Sequence, residues 1–264
     1  MRRQIVILGG GTSVLEGIKR NLFDKLTDKF VVGLNYAHHF LETTLSMYVD
    51  GTFVSDQKEY LERLPLVIGM KNSGTPNFPN FIELPASTEY FRDCSNGIYK
   101  ASLVGLFALS FLIYVLDEGD IFLLGYDYGA QKGDGAFGRA YDSRGNALTH
   151  WYQHGEIKSI YTGKPYQIYH RGFGKINWYE ATQIDEKKQK RITRAEHEFS
   201  VYENEKKVSI YNVSLDSRIN TFPKIGYDQF FSMLSDQALN QDSIRSEVRE
   251  KTVLLSKKLG AGNV

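Results

Sequence analysis

A single cysteine, Cys94, stands among 264 residues, and one thiol cannot close an internal disulfide. That scarcity points to a reducing compartment, so the expected location is cytoplasmic. Charge of one sign is lacking too. Lys and Arg number 32 against 31 Asp and Glu, a formal net charge of +1, and nothing in that balance demands nucleic acid or an anionic membrane. No charged-then-apolar leader precedes the first apolar segment. The apolar run ASLVGLFALSFLIYVL, Ala101 to Leu116, carries no charge, yet it is shorter than the roughly 20 residues that span a bilayer. It reads as a helix buried against a sheet, with Ser95 and Asn96 ahead of it as N-cap candidates and DEGD after it. No membrane span is expected.

What the sequence does have is size and alternation. At 264 residues and 42% hydrophobic, the chain can bury one large core, and one embellished domain is expected rather than two. Strand-like runs fall at Gln4–Leu8, Phe30–Leu34, a short piece near Thr52–Val54, Leu66–Met70, Ile121–Leu124 and Val208–Val213, with helical patterns between several of them. The fold class implied is α/β, a Rossmann-like, mostly parallel sheet with helices on both faces. The expected organisation is a Rossmann-like domain over 1–235, a lid insertion over 128–171 and a C-terminal helical tail over 236–264. In that tail DSIRSEVREKTVLLSKKL offers Val248, Val253, Leu254 and Leu259 as an interrupted apolar stripe. It packs either on the domain or on a second subunit, which makes a homo-oligomer a candidate state.

The first strand runs into QIVILGGGTSVLEGI, Gln4 to Ile18, which reads as strand, tight turn and helix N-terminus. Such a turn aims backbone N–H groups at its occupant, and phosphate is the natural one. Gly9 and Gly11 match the first two glycines of G-x-G-x-x-G, but Val14 holds the third place. A P-loop lysine is missing, since none occurs before Lys19. After the second strand stands Asn35, an amide where a dinucleotide enzyme carries an acid. Ligands of such sheets bind beyond the carboxyl ends of the strands. The candidate binding residues are therefore Gly9, Gly10, Gly11, Thr12, Ser13, Asn35, Ser55, Asp56, Ser95, Asn96, Gly97, Gly125, Tyr126, Asp127 and Tyr128. Asp127 stays open between holding a ligand or metal and capping its neighbouring helix and loop.

Between Tyr128 and His170 the pattern breaks into a Gly-, Tyr- and His-rich stretch, too long for an ordinary connection and too aromatic for a disordered linker. A lid that orders over substrate fits it, and the plainer alternative is an excursion packed by its own tyrosines. His150, His154 and His170 match no metal-ligand spacing, so no metal is expected, and a general-base role suits a lid histidine better.

Taken together, VILGGGTS, Asn35, SNGIYKASLVGLFAL leading into IFLLGYDY, the His-bearing lid and VSIYNVSLDSRINTFPKI resemble a known family. It is that of the bacterial CMP-sialic-acid-dependent sialyltransferases, with their wider relatives the flagellin glycosyltransferases and the archaeal hydroxymethyl-dihydropterin pyrophosphokinases. The resemblance runs over roughly residues 4–235. It implies that Gly9, Gly11 and Ser13 lie beside the donor phosphate, with Gly10 and Thr12 replacing the family's Asn and Pro. It places Asn35 on the nucleotide side, Ser95, Asn96 and Gly97 near ribose and transferred sugar, and Gly125, Tyr126 and Asp127 near the base. His170 matches the general base, and Tyr161 and Tyr169 would stabilise the leaving phosphate. The family's arginine before the Thr-Ser-Gly turn is represented only by Arg92 or Asp93, and its asparagine after the third strand by Ser55 or Asp56.

The activity so implied is transfer of a sugar from a nucleotide-activated donor, a CMP-sugar first, to an acceptor hydroxyl. The acceptor is open among a glycan, a protein and a modified nucleobase, and EKKQKRITRAEHE is the only basic support for a DNA base. No cofactor or metal is obligatory. Three alternatives stay in view. One is a pyrophosphokinase with Asp56 and Asp127 holding Mg²⁺ on ATP, another a glycosyltransferase for a modified DNA base, and the third a non-catalytic nucleotide-binding module.

Overall fold

The computed structural model describes residues 2–71, 78–91, 93–100, 103–116, 118–128, 150–153, 157–165 and 186–260, the side chains of Thr52, Gln153 and 186–192 excepted. The chain opens with β1 (Gln4–Leu8), α1 (Val14–Ile18), α2 (Leu22–Leu26), β2 (Val31–Leu34) and a 3₁₀ turn over Asn35–His39. There follow β3 (Leu45–Tyr48), α3 (Gly51–Leu61), β4 (Val67–Met70), β5 (Phe81–Leu84), β6 (Ala86–Ser87), β7 (Ile98–Tyr99), α4 (Val104–Leu116) and β8 (Gly119–Leu124). A short 3₁₀ segment at Trp151–Gln153, α5 (Glu186–Ser200), β9 (Val208–Asn212), α6 (Tyr227–Met233) and α7 (Gln241–Lys258) complete it.

Seven strands form one sheet in the order β5-β4-β3-β2-β1-β8-β9, and every neighbouring pair is parallel. Both faces are covered, which is why the strands read as continuous apolar runs. Residues of β1 and β8 divide by parity. Ile5, Ile7, Ile121 and Leu123 join the core under α4, α5 and α7, whereas Val6, Leu8, Phe122 and Leu124 join the one with α1, α2, α3 and α6. The uncharged run forms α4, most of its residues buried over the sheet. Among the described residues no helix is long and apolar enough to cross a membrane.

Several expected elements move. The strand expected near Thr52–Val54 lies inside α3. Phe53, Val54, Gln57 and Leu61 are buried there, a helical spacing that outweighs the local β propensity. The third strand is instead Leu45–Tyr48, made by pairing with β2 and β4 rather than by a distinctive sequence. Ser55 and Asp56, expected just after a strand, therefore sit on the exposed side of a helix. Ser95 and Asn96 do not cap α4, which begins at Val104. They occupy a turn before β7. The C-terminal helix is an integral layer. Ile244, Val248 and Leu255 enter the core, Arg3 pairs with Glu247 at 2.8 Å, and Arg245 Nε donates to Thr44 O at 3.2 Å. Of the expected stripe only Val248 is fully buried, and Leu254 is 60% exposed.

Candidate functional site

The chain adds strands outward from β1 to β5, then returns through α4 to place β8 on the other side of β1. That reversal is the position where open α/β sheets bind ligands, beyond the carboxyl ends of the two strands. Here the turns leaving β1 and β8 meet. Gly9 N–H donates to Leu124 O at 2.8 Å and Gly11 N–H to Gly125 O at 2.9 Å.

The glycines of both turns are consumed by this approach. A Cβ on Gly11 would lie 2.5 Å from Asp127 Oδ2 and 2.6 Å from Gly125 O, and Gly125 itself has φ +71°. No larger residue fits two backbones that close. The triple glycine thus has a packing cause before any ligand is considered.

Ser13 and Asp127 then close the junction. Ser13 N–H donates to Asp127 Oδ2 at 2.8 Å, and Ser13 Oγ donates to Asp127 Oδ1. Burial pushes the Asp127 carboxyl above the usual carboxylate range, while the hydrogen bonds from Ser13 and Ser214 pull it back. Of the two roles left open for Asp127, the geometry shows the cap. Its carboxylate occupies the N–H that a phosphate was expected to take. The neighbouring Tyr126 donates from its hydroxyl to Gly105 O at 3.2 Å, joining β8 to the start of α4. From the loop after β9, Ser217 Oγ donates to Tyr126 O at 2.8 Å and Arg218 N–H to Asp127 O at 2.9 Å.

Residues 150–153 of the expected lid lie directly on the turn. Trp151 is fully buried. It donates from Nε1 to Gly9 O at 2.8 Å and from its backbone N–H to Gly10 O at 3.1 Å. His150 stacks on Tyr152, rings 5.0 Å apart and 12° from parallel, and a Cβ on Gly10 would come within 2.5 Å of His150 Cδ2. Tyr152 reaches Tyr36 at 5.7 Å. Residues 150–153 are therefore a strap anchored on the glycine turn.

Beyond it, residues 157–165 run along the seam between the 3₁₀ turn and α3. Ile160 N–H donates to His39 O at 2.7 Å. His38 Nδ1 is 2.8 Å from Asn35 O, and His39 Nε2 is 2.6 Å from Gln57 Oε1. Burial drives the pKa of His38 down to about 3 and that of His39 to about 4, so both rings are neutral. Neither histidine stands out in the sequence, because NYAHH carries no spacing that marks a site.

Some expected site residues gather at the junction and others do not. Gly9, Gly10, Gly11, Thr12, Ser13, Gly125, Tyr126 and Asp127 come together, and Asn35 closes the adjoining β2 in a left-handed conformation, φ +50°. Tyr161 goes elsewhere. Its ring packs on His39 at 5.5 Å and Tyr60 at 5.1 Å, with the Arg63 charge acting on it. Ser95, Asn96 and Gly97 lie beside Pro85, where Ile98 N–H donates to Pro85 O at 2.8 Å. That is past β5, four strand positions from β1 and so roughly 19 Å away at the usual strand spacing. Asp56 lies on α3, which follows β3, and Asp127 lies after β8, three strand positions from β3 in the sheet. Among the described residues no group of three His, Cys, Asp or Glu is placed to hold a metal ion. His154, Tyr169 and His170 lie outside the described residues. Sequence reasoning missed Trp151, Tyr152, Ser214 and Ser217 as parts of this junction. No local signal marked Trp151, which stands 142 positions from the Gly9 it bonds.

In comparisons with protein-family models, with curated proteins and with solved structures, nothing matches the chain.

Proposed function

We propose that the chain is a glycosyltransferase that takes a sugar from a nucleotide-activated donor, a CMP-sugar first, without an obligatory metal. The observation that carries this reading is the meeting of the β1 turn, the β8 turn and the aromatic strap at the one reversal point of an all-parallel sheet. Sheets of this kind bind nucleotides at their reversal point. The donor would lie across Gly9–Thr12, Asn35, Gly125 and Tyr126, and the acceptor is a hydroxyl of a glycan, a protein or a modified nucleobase. A histidine deprotonates that hydroxyl, its oxygen attacks the anomeric carbon, and the bond from that carbon to the phosphate oxygen breaks as the nucleoside phosphate leaves. His170 holds the base role by resemblance. His150 is the described histidine nearest the glycine turn.

The pyrophosphokinase alternative finds less support, because Asp56 is exposed on α3 while Asp127 is buried with its carboxylate held by Ser13. A non-catalytic nucleotide-binding module is the second reading. It is favoured by the way Asp127 and Trp151 already satisfy the polar groups of the turn.

A melting series with CMP, CDP, UDP, GDP and ATP, with and without Mg²⁺, tests the ligand. CMP at about 100 times its Kd should add roughly 2.7 kcal/mol without metal. Stabilisation by Mg-ATP alone would overturn the reading. His170→Ala or His150→Ala should then lower turnover by about 10² to 10⁴ with donor binding nearly unchanged. Full activity in both of these variants and in His154→Ala would remove the base-catalysed mechanism, and binding with no turnover in the parent favours the module.

A further inference from the structure

We infer that Asp127 determines which part of a ligand can rest on the glycine turn: its carboxylate is the resident anion there, so ligand phosphate is turned away and a neutral portion, nucleoside or sugar, lies against the turn. The inference rests on the proposed nucleotide-sugar reading and adds an orientation to it. Both carboxylate oxygens are held by Ser13, one by its N–H at 2.8 Å and one by its hydroxyl. The main chain is pinned from the other side by Arg218 N–H on Asp127 O at 2.9 Å. Only 8% of the residue is exposed, so the charge is fixed and poorly screened. Gly11 lies so close that even a methyl group there would meet Oδ2. A phosphate reaching the turn at Gly11 would therefore approach a like charge. At a separation of about 5 Å and an effective dielectric of about 20, that repulsion weakens binding on the order of a hundredfold.

The exclusion has a way to be lifted. Burial raises the Asp127 pKa, and once the carboxyl takes a proton the repulsion disappears. The charged and titratable groups around it are Asp216 and Arg218 after β9, Tyr227 on α6, Glu16 on α1, which also acts on Tyr227, and His150 over Gly10. Asp216 acts in the same direction as burial. Anion binding should therefore strengthen on acidification.

The test measures cytidine and CMP methyl ester, whose single phosphate charge does not titrate in the range used, by calorimetry on the parent and on Asp127→Asn. At pH 7.5 the variant should bind the ester at least about tenfold more tightly than the parent does, with cytidine unchanged. An ester affinity that is unchanged or weaker overturns the inference. In the parent alone, the affinity ratio of ester to cytidine should rise as pH is lowered from 7.5 toward protonation of the Asp127 carboxyl, and no rise down to the acid limit of the folded protein overturns it equally, which covers a variant that fails to fold. Should neither protein bind either compound, the glycosyltransferase reading falls, and millimolar sulfate decides the role of Asp127. A melting temperature raised by sulfate in Asp127→Asn but not in the parent upholds resident-anion exclusion. Equal responses end it. If the variant does not fold either, the parent must gain sulfate stabilisation as pH is lowered from 7.5 to the acid limit of the folded protein, and no gain ends it.

Discussion

At the end of β1, residues 9–13 lie under His150–Tyr152 and are clasped to the turn leaving β8. Beyond β5, residues 93–97 face solvent at Ser95 and Asn96, with Ser95 N–H donating to its neighbour Asp93 at 3.0 Å. Both turns contain glycine, small polar residues and a strand on one side. Their glycines answer different needs. Gly11 lacks room for a side chain because a distant turn meets it, whereas Gly97 combines φ +120° with a place where a Cβ would come 2.9 Å from Pro85 O. A turn at the reversal point of the sheet is built from two strands' ends at once, and a turn at the sheet margin mainly connects. The side chains of Ser13 and Asp127 tie the first turn to a distant one, whereas in the second the Asp93 side chain serves its neighbour Ser95 and only the Asp93 carbonyl accepts from afar, from Lys258 Nζ at 3.1 Å.

The largest effect should come from the strap. Trp151→Ala removes a fully buried ring and the hydrogen bond to Gly9 O, and a loss of about 3–5 kcal/mol is expected in urea unfolding. A loss below about 1 kcal/mol would mean the strap is not anchored to the turn. Gly11→Ala comes next, at about 1–3 kcal/mol from overpacking, because its methyl would press on Gly125 O and Asp127. If Gly11→Ala melts with the parent, the two turns are not in contact in solution.

The seam under residues 157–165 should show in the acid limb of stability. The folded pKa values of His38 and His39 lie below the ordinary 6.5, at about 3 and about 4. Their contribution is complete above pH 6.5 and declines as pH falls through the unfolded value toward those two. Urea midpoints should therefore drop between pH 6.5 and pH 5, and a flat profile would mean the rings are solvated. Glu247 adds a weaker decline further down. Its hydrogen bonds from Arg3 hold it at about 2 against 4.5, so that contribution is lost only as pH falls through this window. Its side chain is 35% exposed, and solvent screening keeps the effect small. Smallest of all, Ser95→Ala and Asp56→Asn should stay within about 0.5 kcal/mol and leave nucleotide binding unchanged. A clear loss of binding in either would return those residues to the site.

Legibility followed the range of the interactions. Gln4–Leu8 and the buried helix α4 could be read because an apolar strand and a long apolar helix keep their character wherever they pack. β3 could not, since LSMY becomes a strand only between β2 and β4. The same limit applied to the site. The glycine turn was visible as a turn, but not the reason for its glycines, which is the backbone of Gly125 more than a hundred residues away.

By itself the sequence determined the α/β class, the places of β1, β8 and β9, the burial of α4 and the presence of a terminal helix. All of these depend on local periodicity and on apolar runs that must leave water. Tertiary structure alone decided that β1 and β8 are neighbours, that Ser95–Gly97 and Asp56 lie away from them, and that Tyr161 joins His39. It also decided that Asp127 spends its charge on Ser13. Those outcomes depend on strand order and close approach between segments far apart in the chain, and no window of residues encodes which distant carboxylate will reach a given N–H.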